Sequence, residues 1–356
     1  MASVLSRIGR VFLAAPFAAL VLICVKEMDV DKLIKFEEQV MKVDKGAIKW
    51  PGGSLKVFET FYGIEPLDHM WRAASITFAP SSLGYDEIGW WQMMSFLTDL
   101  GPMYAVWYLE AARIGNAWSP AYFATLWTFG AQRLGIGTVA PFVYFLSLVF
   151  GPTTADIAGS DNFLRTVQTK WVGLLLPLML VLHNLEVFAA YLSSDLVARH
   201  YWIFAWQMSP LWIGIANFVG TLLAGNLFAR FPLAQPRLLL TVLCTISAAV
   251  WIATLVLAPY SPAELFLPSW ETQEDLTLHS RRALQVDQVC AFSACFLWLL
   301  CQFVDLCRLG FAGADAFFAA ALLPIALACF GPGVAFVVGW CWRERKLAQT
   351  RGRNSS

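Results

Sequence analysis

The chain has 356 residues, of which 58% are hydrophobic and only 14% charged; a soluble domain runs nearer roughly half apolar and a quarter charged. Lys plus Arg and Asp plus Glu balance at 25 each, so the net charge is zero and there is no electrostatic case for nucleic acid. With 16 Trp and 27 Phe as well, such a chain cannot cover a soluble surface, and a lipid bilayer is its expected solvent.

A bilayer core about 30 Å thick needs roughly 20 predominantly apolar residues per helix. Eight stretches qualify, at about 9–25, 88–113, 119–150, 171–193, 202–229, 237–257, 287–311 and 315–342. The expected fold class is therefore all-α: a polytopic membrane helix bundle of about eight transmembrane helices, forming one transmembrane domain over 1–356. Short alternating segments, the mark of membrane strands, are missing from these stretches. The first stretch follows Arg7 and Arg10 in the manner of a signal peptide. No small-residue cleavage site follows Cys24, so an anchor is the preferred reading. An even number of helices puts both ends on one side. Arg7 and Arg10, with Arg345, Lys346, Arg351 and Arg353 in a basic tail over 343–356, make that side cytoplasmic.

Between the first two stretches, 26–87 reads as an amphipathic, interfacial segment. Its charged run from Lys26 to Lys49 carries Val30, Leu33, Ile34, Phe36, Val40 and Met41, and Pro51-Gly52-Gly53 breaks it. A second polar loop runs from Pro259 to Gln285. The bland reading of both is a solvated connection; the alternative is a cap over a cavity. The eight cysteines form no C-x-x-C pair, so neither zinc nor redox chemistry is indicated. No internal repeat supports an inverted-repeat transporter.

Ionisable groups inside membrane helices cost roughly 2.5–3.5 kcal/mol each, which makes each a functional candidate. Asp99 lies near the middle of the second stretch. Glu110 follows on the same helix face, about 16 Å further along the axis, with Arg113 three residues beyond it. The third stretch holds Gln132-Arg133 and then Gly135, Gly137 and Pro141, and Asp99 is the expected counter-charge for Arg133. His183, Asn184 and Glu186 fall in the fourth, and Gln302, Asp305 and Arg308 in the seventh. For each there is a structural reading: a salt bridge for Glu110 with Arg113 and for Asp305 with Arg308, a hydrogen-bonded carboxyl for Asp99, a satisfied core histidine for His183. A lone His183 gives no metal site. Phosphate loop, H-E-x-x-H, G-x-S-x-G and dinucleotide fingerprint are all missing, as are the acid clusters that hold magnesium on a diphosphate. Scattered carboxyls in an aromatic interior suit proton-initiated carbocation chemistry, with no metal and no cofactor.

Several local patterns then line up in order. They are Phe61-Tyr62-Gly63 with Leu67-Asp68; Phe96-Leu97-Thr98-Asp99-Leu100-Gly101 leading to Glu110, Arg113 and Gly115-Asn116; and Gln132, Gly135, Gly137, Pro141 and Tyr144 ending at Gly151-Pro152. The last is Arg199-His200-Tyr201-Trp202 running into Trp206-Gln207 and Pro210-Leu211-Trp212. On these, the chain resembles the fungal integral-membrane terpene cyclases of the ascochlorin and ascofuranone type, over about 58–218. Met208-Ser209-Pro210 departs from that pattern, and Glu186 has no counterpart in it.

The resemblance implies cyclisation of an (epoxy)farnesyl chain in meroterpenoid biosynthesis, an isomerase-type reaction of secondary metabolism without metal or redox cofactor. It implies a lipophilic prenylated substrate, an endoplasmic-reticulum membrane and companion enzymes of the same pathway. Glu110 or Asp99 would supply the acid, with Arg113 and Asn116 orienting it or binding the polar head. Tyr104, Trp107, Tyr122, Tyr144 and Trp206 would wall the cavity, and Gln132, His183 and Gln207 complete the candidate substrate-binding set. Glu186 and Asp305 are the remaining candidate carboxyls. Under eight spans Asp305 falls on the opposite side from Glu110. A transporter using buried carboxylates and a non-catalytic scaffold are the alternatives.

Overall fold

A computed structural model describes residues 4–159, 162–228 and 235–349, so Arg351 and Arg353 lie outside the described residues. The architecture is all-α apart from one small hairpin. Helix α1 (Val4–Met28) leads through Asp29 into α2 (Val30–Glu38). The antiparallel pair β1 (Ala47–Trp50) and β2 (Gly53–Lys56) follows, with Ile48 opposite Leu55 and the turn at Pro51-Gly52. This hairpin and α3 (Glu65–Ser82) pack on α11 (Leu196–Gln207), around Trp71, Ile76, Phe204 and Met208. Asp68 fastens the segment by accepting the amides of Tyr62 (2.7 Å) and Phe61 (3.0 Å). Those amides hold its carboxyl below the ordinary carboxylate range.

Helix α4 (Glu87–Ala111) is the centre of the bundle, and from Gln92 to Glu110 every residue is buried. That placement encloses its polar groups within protein. Its N-terminus is fixed by Asp86, which accepts from Gly89 N at 3.1 Å and from Arg281 Nε at 2.9 Å. The remaining helices surround it. They are α5 (Ala124–Leu134), α6 (Ile136–Phe150), α7 (Thr154–Gly159), α8 (Asn162–Arg165) and α9 (Leu175–Met179), which runs through a wide π turn into α10 (Glu186–Leu192). After α11 come α12 (Ser209–Phe228), α13 (Pro236–Leu257), α14 (Pro262–Phe266), α15 (Leu276–Arg308), α16 (Ala314–Phe330) and α17 (Pro332–Gln349).

Among the described residues, five helical segments are long and apolar enough to cross a bilayer: Gly9–Val43, Thr169–Leu192, Ser209–Leu227, Pro236–Leu257 and Leu276–Arg308. Three of the eight expected stretches are not single helices; 202–229 is divided at Met208 between α11 and α12, and the other two fold back on themselves. The 119–150 stretch folds back at Gly135 (φ 78°), so that the rings of Trp127 and Phe142 pack 6.0 Å apart. At roughly 1.5 Å per residue α5 and α6 are about 16 and 22 Å long, each short of a bilayer core. The 315–342 stretch folds back in the same way at Gly331 (φ 91°). Hydropathy sees an unbroken apolar run in both cases, because a glycine turn inside protein adds little polarity. Arg133 does not meet Asp99. It is exposed, whereas Asp99 Oδ1 accepts from Ser247 Oγ at 2.6 Å and from Gly333 N at 3.1 Å.

Candidate functional site

A cavity of about 350 Å³ opens at one end of α4, between α1, α6, α15 and α17. Its wall is aromatic. The Tyr144 ring stacks on Trp298 at 5.3 Å, and Trp107 meets Tyr144 edge-on at 6.0 Å while donating its indole N–H to the phenol oxygen at 2.9 Å. These rings present faces and few free polar atoms, which suits an apolar occupant.

The polar end is built on Glu110. Helix α4 stops one residue later, and the chain turns back through a 3-10 turn at Ile114–Asn116. That turn returns Arg113 and Asn116 to the carboxylate. Arg113 makes a bidentate pair, Nε to Oε2 at 3.1 Å and Nη2 to Oε1 at 2.9 Å, and Asn116 Nδ2 donates to Oε2 at 2.9 Å. From α17, Trp340 Nε1 (2.7 Å) and Arg343 Nη1 (2.9 Å) donate to Oε1. Glu344 bridges Arg113 and Arg343 at 2.8 Å to each. Two guanidinium groups thus face two carboxylates, and Glu110 accepts five N–H bonds. Burial without such pairing would be costly for every member. The result is a rigid, charge-balanced plug at the cavity's end.

On the other side of Arg343, Gln302 Oε1 accepts from Arg343 Nε (3.1 Å) and Thr154 Oγ1 (3.3 Å), and Asp305 Oδ2 accepts from Thr154 Oγ1 at 3.1 Å. Arg10 donates to Gly151 O at 2.8 Å on the same rim. Asp305 therefore lines the same cavity as Glu110, not the opposite face. The α5–α6 fold-back is the reason: it turns an expected single crossing into a there-and-back pair, so α4 and α15 end together.

Of the residues singled out from sequence, Glu110, Asn116, Trp107, Tyr144 and Asp305 meet at this cavity, with Arg113 fully buried behind Glu110. Tyr104, Gln132 and Trp206 lie instead on a smaller cavity of about 90 Å³ toward the other end of α4, beside Asp287. His183 bonds Leu97 O through Nε2 (2.9 Å) and accepts the Trp206 indole N–H on Nδ1 (3.1 Å), a saturated core histidine. Glu186 is buried with Oε2 unpartnered, and Gln207 is buried with neither amide atom bonded. Tyr122 is 40% exposed, packed on Trp118. Sequence reasoning missed Trp298, Trp340, Arg343 and Glu344. The sequence reading puts Arg343 in the basic cytoplasmic tail, yet Trp340, Arg343 and Leu347 recur at helical spacing, and that signal continues the helix inward.

The family model for the CtvD domain matches residues 33–347. The chain belongs to the CtvD domain family. Curated relatives include FAD-dependent monooxygenase verC1 of Penicillium polonicum, 27% identical over 98% of this chain and 44% of that protein. FAD-dependent monooxygenase anuJ of Penicillium roqueforti is 28% identical over 85% of this chain and 37% of its own length. FAD-dependent monooxygenase BOA8 of Botryotinia fuckeliana is 27% identical over 72% and 34%. The chain thus spans less than half the length of these relatives. No solved structure matches it. The relatives' names overturn the expectation of a non-redox terpene cyclase and isomerase.

Proposed function

We propose that this chain is the membrane-embedded, lipophile-binding part of a flavin-dependent monooxygenase system, acting on an apolar small molecule of secondary metabolism in a multi-pass, endoplasmic-reticulum setting. The observation that carries this reading is the cavity: aromatic walls from Trp107, Tyr144 and Trp298, closed at one end by the fixed Glu110 cluster. The redox half rests on the names of the relatives.

The flavin itself belongs outside this fold. The dinucleotide-binding kind of FAD site cradles the pyrophosphate at a glycine-rich turn between a strand and a helix of a parallel sheet. Among the described residues the strands are β1 and β2, an antiparallel pair. The two Gly-x-Gly turns, 135–137 and 331–333, sit inside helical hairpins with Asp287 and Asp99 packed against them, and a carboxylate there would repel a phosphate. These residues do not fit the cofactor. What they do fit is substrate handling: the rings hold an apolar body and exclude water, and the Glu110–Arg343 plug fixes its register.

The test is the chain alone, purified into lipid nanodiscs, titrated calorimetrically with para-hexyloxycumene and assayed for retained flavin by absorbance. Saturable binding of one molecule per chain, lost in Trp298→Ala, with no retained flavin, is the expected result. Stoichiometric flavin carried through purification would refute the division of labour, and no saturable binding would refute the site.

A further inference from the structure

Two donors at the polar end of the cavity are left over once the cluster is assembled. Arg343 is 2% exposed. Its Nε bonds Gln302, its Nη1 bonds Glu110 and Glu344, and its guanidinium lies 5.3 Å over the Trp298 ring. A guanidinium carries five N–H groups, and the two on Nη2 have no partner among the described residues. Gln302 is 7% exposed. Arg343 Nε can only donate, so the Gln302 atom facing it is the oxygen, and the amide nitrogen is the one left free. Both residues line the cavity. A ligand oxygen placed between the two donors would take up hydrogen bonds that the protein itself leaves unmade.

The charge balance says which acceptor. Arg113 and Arg343 are already matched by Glu110 and Glu344, so a further anion would unbalance the cluster, whereas a neutral oxygen leaves it intact. Trp298, which packs on the guanidinium and lines the cavity, would border the group bearing that oxygen. We infer that the cavity recognises the carbonyl oxygen of its ligand, held jointly by Arg343 Nη2 and Gln302 Nε2. The ligand class is accordingly a lipophilic aryl or conjugated ketone, aldehyde or ester, with the carbonyl end against Trp298. This rests on the reading of the cavity as a lipophile site.

The experiment compares para-hexyloxyacetophenone with para-hexyloxycumene, in which an isopropyl group replaces the acetyl group at nearly the same size. Both are titrated into the full chain in nanodiscs. The ketone is expected to bind roughly tenfold more tightly, the worth of one hydrogen bond to a charged donor. Gln302→Glu keeps the acceptor for Arg343 Nε but turns the free amide donor into an oxygen. It is expected to remove most of the ketone's advantage over the cumene, read as the ratio of the two affinities in the same variant. Arg343→Met is the second variant, with circular dichroism and gel filtration reporting the fold. Equal binding of the two probes by the wild-type chain, or an undiminished ketone preference in Gln302→Glu, would overturn the inference while leaving the lipophile site standing. Binding of neither probe would overturn both.

Discussion

The α5–α6 and α16–α17 hairpins turn on the same three-residue pattern, Gly135-Ile136-Gly137 and Gly331-Pro332-Gly333, yet they are fastened differently. In each, the first glycine takes a positive φ, 78° or 91°, that a side chain would resist. In each, the second glycine lies against the backbone of an aspartate on a neighbouring long helix and donates its amide to that carboxylate. Asp287 of α15 receives Gly137 N at 2.6 Å, and Asp99 of α4 receives Gly333 N at 3.1 Å. The aspartates serve as N-caps supplied from another helix, satisfying amides that a returning helix leaves free. Beyond the turn the two diverge. Helix α17 runs parallel to α4 and is tied to it a second time, through Trp340 and Arg343 on Glu110. Helix α6 is held along its length by packing on α1 and α15 and delivers an aromatic ring, Tyr144, in place of a charge. One turn geometry thus supplies both the apolar and the polar wall of the cavity.

Cutting the second tie should produce the largest effect. Glu110→Ala leaves Arg113 and Arg343 facing each other with only Glu344 between them. Removing one partner of a buried ion pair costs about 3–5 kcal/mol. Thermal unfolding followed by gel filtration in detergent should show a large drop in midpoint or no folded protein. Adding Arg343→Met to Glu110→Ala should recover part of the loss, because the second orphaned charge goes too. If Glu110→Ala unfolds like the wild type, the ion cluster does not hold α17.

Next come the glycines of close approach. A Cβ on Gly137 would lie 2.4 Å from Asp287 O, and one on Gly333 would lie 2.6 Å from Asp99 O. Both obstacles are backbone, so the hairpin has to move. Overpacking of this kind costs about 1–3 kcal/mol or more. Gly333→Ala should damage ligand binding less than Gly137→Ala at equal loss of stability, because Glu110 still anchors the far end of α17. Equal damage to binding in the two variants would remove the distinction between one tie and two.

These features explain what the sequence could and could not disclose. Helicity, apolar stretches long enough to cross a bilayer, and the pairing of Glu110 with Arg113 three residues on follow from local spacing, and local spacing survives folding. The hairpins were hidden because Gly-x-Gly in an apolar run carries no hydropathy signal. Asp287 was passed over at the edge of a polar loop, although its position beside Gly137 is what fixes the turn. Missing the fold-back at Gly135 reversed the sense of the later helices, and Asp305 was accordingly assigned to the wrong end. The expected cyclase activity rests on a resemblance in short local patterns, and the relatives' names overturn it; scattered carboxyls in an aromatic interior describe a cavity, not a reaction.

Removing the caps separates the hairpins more finely. Asp287→Ala leaves the Gly137 amide without its acceptor, and Asp99→Ala strands the Gly333 amide and the Ser247 hydroxyl together. Each orphaned buried group costs about 1–3 kcal/mol. Asp99→Asn keeps an acceptor oxygen for both donors and should fall within about 1 kcal/mol of the wild type, the size of one ordinary net hydrogen bond. Thermal midpoints across the four variants, with Asp287→Asn as the fourth, give the ranking. An Asp99→Asn protein as unstable as Asp99→Ala would mean that the charge, and not the acceptor, holds α17.

The smallest effect belongs to the aromatic pair that closes the α5–α6 fold-back. Trp127 and Phe142 meet edge-to-face, and such a pair adds about 0.5–1.5 kcal/mol beyond its buried area. Phe142 is 43% exposed, so part of that value is already lost to its surroundings. Trp127 has an independent anchor, its indole N–H on Pro120 O at 2.7 Å, and it lines the cavity. Phe142→Leu should therefore lower the thermal midpoint slightly and leave para-hexyloxycumene binding intact, because the ring that touches the ligand keeps its own support. A fall in binding larger than the fall in stability would mean that Phe142 sets the Trp127 ring, and that α6 shapes the cavity through the mouth as well as through Tyr144.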